Sequence, residues 1–137
     1  TRPVVIGGIP YLDGGCAEKI PFPWSETCGE EKIVVVRTRE LSYRRKPETS
    51  KLAGRIYRKY PNFVKSLEAV NENYNCMVEL LEKKAAADEI FMVAPSEPVT
   101  VSRFDGDMEK LGALYWLGYH DMEGSIERLD RYLGKAE

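Results

Sequence analysis

The apolar residues of this chain follow two rhythms, short glycine-punctuated blocks at first and helical spacing later. Val4-Val5-Ile6, Gly7-Gly8 and Ile9-Pro10-Tyr11-Leu12 predict two short strands joined by a two-residue turn, because glycine tolerates the positive φ that hairpin turns need. Pro10 has no N–H to offer a ladder, which places it at an edge or a strand start. Asp13-Gly14-Gly15 stops the second strand, and Pro21-Phe22-Pro23 opens a helical turn over Trp24–Thr27 that Gly29 ends. Ile33-Val34-Val35-Val36 is apolar on both faces, the pattern of an interior strand in a mostly parallel sheet covered by helices.

Beyond Arg39 the rhythm lengthens. Leu41–Ser50 is a polar, basic connector, and Ser50 is a fit N-cap for a helix over Lys51–Tyr60 with Leu52, Ile56, Tyr57 and Tyr60 on one face. Pro61 suits the first turn of the next helix, in which Phe63, Leu67, Val70, Tyr74, Met77 and Leu81 recur in steps of four and three. Ile90–Ala94 reads as a short strand stopped by Pro95 and Pro98. A last helix over Asp107–Leu133 would turn Leu111, Leu114, Tyr115, Tyr119, Met122, Ile126 and Leu129 inward, with Gly112, Gly118 and Gly124 as weak points. No internal repeat or low-complexity tract is visible. The elements predict an α/β chain, with short strands in residues 1–48 and a helix-rich region with one short strand over residues 49–137.

Composition narrows the function classes. The 137 residues are one domain's worth of chain or a piece of a larger domain, and 43% hydrophobic with 31% charged residues describes an ordinary folded protein. The longest apolar runs, Ile90–Ala94 and Ala113–Leu117, fall far short of the ~18 residues a membrane-spanning helix needs. A net charge of −2 gives no global basic footprint, so no nucleic-acid partner is expected. Cys16, Cys28 and Cys76 form no CxxC pair and His120 is the only histidine, which predicts free thiols in a reducing, cytoplasmic compartment and neither metal nor other cofactor. The chain begins at Thr1 and runs directly into a strand-like stretch, so it is expected to be a fragment of a longer protein.

Asp13 is the sharpest chemical feature. A carboxylate at a strand end, followed by two glycines that let a substrate or another backbone approach, can act as a general base. An Asp-Gly pair is also an ordinary turn. Tyr11-Leu12-Asp13-Gly14-Gly15, with Ile20-Pro21 after it and Gly29 ahead of Lys32–Val36, resembles the end of the catalytic domain of patatin-like phospholipases. Pro95-Ser96-Glu97-Pro98, and Leu111 through Leu117-Gly118-Tyr119, resemble segments of the C-terminal region of bacterial members, so the likeness runs over most of the chain.

The resemblance implies that residues 1–48 end a catalytic domain as the closing part of a mostly parallel patatin-like sheet flanked by helices, with residues 49–137 as a helix-rich C-terminal extension, in a lipid acyl hydrolase with a Ser-Asp dyad that acts on an acyl ester or phospholipid. Asp13 would be the base and Gly14 and Gly15 would shape its loop. None of Ser25, Ser42, Ser50, Ser66, Ser96, Ser102 or Ser125 has the GxSxG spacing of a nucleophile elbow, and the family's glycine-rich oxyanion loop is also missing. The chain alone is therefore expected to be inactive, the serine lying upstream in the parent. The dyad needs no histidine, and His120 is expected to be structural or exposed.

The alternative is a non-catalytic interaction or membrane-surface module. Between Arg37 and Lys59 nine basic residues (Arg37, Arg39, Arg44, Arg45, Lys46, Lys51, Arg55, Arg58, Lys59) face only Glu40 and Glu48. Such a stretch can hold anionic lipid headgroups, giving peripheral contact with a membrane, or it can be a solvated face. A fragment parted from its upstream strands would leave a sheet edge open, so self-association is expected as well.

Overall fold

The computed structural model describes residues 3–47, 51–102 and 104–134. The predicted N-cap Ser50, the boundary between residues 48 and 49, and the side chains of Lys51 and Leu52 lie outside the described residues. The chain divides into two compact units, Thr1–Cys28 with Arg44–Glu79, and Gly29–Tyr43 with Leu80–Glu137.

In the first unit, β1 (Val4–Ile6) and β2 (Ile9–Tyr11) form the expected antiparallel hairpin, with Val4 opposite Tyr11 and Ile6 opposite Ile9. Gly7 at φ +58° and Gly8 at φ +82° form the turn, left-handed at both positions as the twist of a two-residue hairpin requires. Pro10 pairs with Val5, one step from the turn-closing pair, where the alternation of an antiparallel ladder needs no N–H. A single 3₁₀ turn, Gly14–Cys16, follows, and then α1 (Phe22–Thr27), which buries Phe22. Helix α2 (Lys51–Ile56) stops one turn earlier than expected. Pro61 disfavours helical geometry at Tyr60, whose N–H instead closes a turn on the Tyr57 carbonyl at 2.8 Å.

Pro61 opens α3 (Pro61–Ala86), the longest helix among the described residues. Its predicted stripe faces inward, with Val70 buried and Phe63, Leu67, Tyr74 and Met77 half-buried; Val78 is fully buried beside it. Asn71 and Asn75 share this face and tie down the basic connector. Asn75 Oδ1 accepts the Arg45 N–H at 2.8 Å while its Nδ2 donates to the Arg45 carbonyl at 2.9 Å, and Asn71 Nδ2 donates to the Lys46 carbonyl at 3.0 Å. An irregular segment has no ladder of its own, so these amides satisfy backbone groups that packing would otherwise strand.

In the second unit, β3 (Val34–Val36) pairs in parallel with β4 (Phe91–Val93), Val34 opposite Phe91 and Val36 opposite Val93. Leu81, Ile90 and Phe91 are its buried apolar residues. The α/β class and a parallel strand pair are as expected, but each sheet among the described residues has only two strands. The interior position expected for Ile33–Val36 is corrected accordingly: β3 has one strand neighbour, and Val36 is 70% exposed.

The single terminal helix is also corrected. Helix α4 (Met108–Glu123), capped by Asp107 Oδ1 on the N–H groups of Glu109 and Lys110, breaks at Gly124-Ser125 before α5 (Ile126–Tyr132). Gly112 and Gly118 stay within the helix. On α4 the half-buried face runs through Leu114, Leu117, Asp121 and Met122, so Tyr115 and Tyr119, expected inward, point outward with Leu111. The apolar letters of α4 cover a wide arc and the fold covers its Leu114 and Leu117 side rather than the tyrosine side; Ile126 on α5, also expected inward, is 47% exposed.

Candidate functional site

Asp13 lies between β2 and the 3₁₀ turn, where an aspartate that stops a strand can start a turn by replacing a backbone acceptor. Its Oδ1 accepts the Gly15 N–H at 2.8 Å, and its main-chain carbonyl accepts the Cys16 N–H at 3.0 Å. The residue is exposed, and Oδ2 makes no hydrogen bond among the described residues. One oxygen therefore fixes the carboxylate and the other is available to an incoming donor. A Cβ on Gly15 would stand 3.2 Å from Oδ1, whereas one on Gly14 would meet nothing within 4 Å. Of the two predicted loop glycines, Gly15 is the one whose missing side chain makes room for the carboxylate.

Asp13 lines a hollow of about 270 Å³ within the first unit. Pro10, Tyr11 and Leu12 form one side, and Tyr57, Tyr60 and Phe63 come from the junction of α2 and α3. Tyr57 and Phe63 meet edge to face with ring centroids 4.9 Å apart, a favoured aromatic geometry that holds this wall in place. A carboxylate at the lip of a mainly apolar hollow can take a proton from a donor while the wall shelters a hydrocarbon chain. The sequence had placed Tyr57, Tyr60 and Phe63 on apolar helix faces only. The available signal was the aromatic trio bracketing Pro61.

Other candidates lie apart from this loop in the chain. His120 is exposed on α4, stacked on Trp116 at a centroid distance of 5.9 Å, with Nδ1 3.4 Å from Glu123 Oε2. That is an exposed surface contact, the second of the two roles expected for it. The three cysteines are free thiols, Cys16 at the wall of the hollow and Cys28 and Cys76 exposed. Among the described residues no group of three or more His, Cys, Asp or Glu side chains gathers as a metal site would require, and no helix is long and apolar enough to cross a membrane.

The basic stretch is partly consumed by the fold. Arg37 is 7% exposed, pairs with Glu82 Oε1 at 3.3 Å and donates to the Glu40 carbonyl at 3.0 Å. Arg39 donates to the Val99 carbonyl at 2.6 Å, and the Arg45 guanidinium lies over the Tyr74 ring at 5.0 Å. Arg55, Arg58 and Lys59 remain exposed.

No curated protein and no solved structure matches the chain. The model of a domain of unknown function, DUF6363, matches residues 60–134, which include Tyr60 and Phe63 of the hollow but not Asp13. That match takes in more than half of the 137 residues, and the chain belongs to the DUF6363 family.

Proposed function

We propose that this chain is the C-terminal part of a patatin-like lipid acyl hydrolase, to which it supplies the dyad base Asp13. The observation that carries the proposal is the division of labour at Asp13, with Oδ1 held by the Gly15 N–H at 2.8 Å and Oδ2 without a partner among the described residues. A dyad base must be held still and yet keep one lone pair for the serine. In this reading Oδ2 accepts the hydroxyl proton as the serine oxygen attacks the ester carbonyl, then returns it to the departing alcohol oxygen. It next takes a proton from the water that cleaves the acyl-serine. The apolar wall of Tyr57, Tyr60 and Phe63 suits an acyl chain. The serine and the oxyanion donors come from elsewhere in the longer protein. The exposed apolar hairpin, in which Val4, Val5, Ile6 and Ile9 are all more than half exposed, would pack on the rest of that domain.

Labelling with a fluorophosphonate, which modifies activated serines, tests this. The full-length protein should be labelled, its Asp13→Asn variant only weakly, and the 137-residue chain not at all. A full-length protein without a reactive serine would sink the proposal.

The second reading, a non-catalytic interaction or membrane-surface module, is favoured by one observation. Tyr115, Trp116 and Tyr119 form an exposed row of edge-to-face rings on α4. Aromatic rings exposed in a group suit a membrane interface or a protein partner. Cosedimentation with vesicles that is lost on Trp116→Ala, in a protein without a reactive serine, would favour it.

A further inference from the structure

A second hollow, of about 460 Å³, lies wholly within the second unit and differs in chemistry from the first. Its lining includes Lys32, Arg128 and Arg131, with Asp88 as the one acidic residue, an excess of two positive charges. Buried Ile90 and Phe91 back the hollow, and half-buried Tyr132 supplies apolar surface. The cations are seated on the aromatic pair: Lys32 Nζ is 4.4 Å from the Tyr132 ring centroid, Arg128 Cζ is 5.5 Å from that of Phe91, and the two rings are 6.0 Å apart. Tyr132 is itself fixed, since its hydroxyl accepts the Ile33 N–H at 3.1 Å and lies 3.2 Å from the carbonyls of Ile33 and Glu89. Arg131 spends only Nε, on the Glu127 carbonyl at 3.4 Å.

Among the described residues none of these three cations has a carboxylate within the 4.0 Å of an ion pair. Like charges brought together around one hollow repel, and a bound anion relieves that repulsion. Two guanidinium forks and one ammonium match the several oxygens of a phosphate, and the excess of two charges matches a phosphate monoester dianion better than a single carboxylate.

We propose that this hollow binds a phosphate monoester group, with Arg128, Arg131 and Lys32 on its oxygens and any apolar part of the ligand against Tyr132. All of these residues except Lys32 lie within residues 60–134, so the site belongs largely to the DUF6363 domain. It stands independently of the role of Asp13. The phosphate could be free or the headgroup of a lipid, and calorimetric titration separates these sources. The 137-residue chain would be titrated at low salt with inorganic phosphate, with dihexanoyl phosphatidic acid below its micelle concentration, and with phosphate-free dihexanoyl glycerol.

Saturable binding of phosphate, or of phosphatidic acid alone, weakened about tenfold or more in an Arg128→Gln, Arg131→Gln double variant, is the expected result. Binding of phosphatidic acid alone identifies a lipid headgroup as the source; binding of both identifies the phosphate itself. Lys32→Gln, on an irregular segment, should weaken the same binding and serves if the double variant is unfolded. Absence of binding to both phosphate probes, binding that survives the substitutions, or equal binding of dihexanoyl glycerol would overturn the proposal.

Discussion

At Asp13 the two carboxylate oxygens have different surroundings, so neighbouring substitutions should separate turn from chemistry. A Cβ at Gly15 would stand 3.2 Å from Oδ1, and the carboxylate or the loop must give by a few tenths of an ångström, whereas Gly14 has open space. On the proposed dyad reading, Gly15→Ala in the full-length protein should lower kcat by about tenfold, since small misplacements of a reacting group are costly, while Gly14→Ala stays within about twofold. Equal kinetics for the two variants would show that the loop does not position Asp13. These three residues were legible because they are contiguous and their turn chemistry is local. The aromatic wall was not, because periodicity tells which side of a helix is apolar but not what that side meets. Arg37 shows the same limit: a charge count places it in a basic patch, and only the fold brings the Glu40 carbonyl and Glu82 to it. Arg37→Ala removes the hydrogen bonds of a buried guanidinium and the space it fills, and should cost about 2 to 3 kcal/mol in chemical denaturation, with Arg37→Lys recovering part of it. A loss below about 0.5 kcal/mol would mean that the pair is no better than a surface one.

Among the elements, α3 carries the most. Its stripe of apolar residues in steps of three and four was readable because a 26-residue helix repeats the pattern many times over, and repetition averages out exceptions. Asn71 and Asn75 break that pattern as polar residues on the inner face, and their purpose appears only with the backbone of Arg45 and Lys46 beside them. Asn75→Ala strands an N–H and a carbonyl together, so it should destabilise by about 2 kcal/mol, more than the same change at exposed Asn73. Thermal unfolding of both variants checks this, and similar melting points would contradict it. Leu81, fully buried, should cost about 2 to 5 kcal/mol on truncation to alanine. Strand β3 went the other way. Four consecutive apolar residues look alike whether they are covered on both faces or stand in a two-stranded pair, because the letters record hydrophobicity and not neighbours. The inward face of α4 was misplaced for a related reason, since its apolar letters cover a wide arc and only the fold shows that the Leu114 and Leu117 side is covered.

At the scale of the molecule, several large apolar residues stand exposed. The hairpin residues Val4, Val5 and Ile6, Val36 at the end of β3, and Tyr115 and Trp116 on α4 are all more than half exposed. Surfaces of this kind usually have a partner, which here would be the remainder of a hydrolase domain, another protein or a second copy of the chain. Sedimentation velocity of the isolated chain should therefore show a weight-average mass that rises with concentration, and Val5→Lys should reduce the rise; a monomer at every concentration would argue against it. On the proposed reading, Asp13 is the base of a Ser-Asp site completed by the longer protein. Hydrolysis of a chromogenic short-chain acyl ester by the full-length protein, its Asp13→Asn variant and this chain alone tests it most directly. The expected outcome is an active full-length protein, a variant slowed by about a hundredfold or more, and an inert isolated chain. Full activity in the variant would contradict it and leave Asp13 as the cap of a turn.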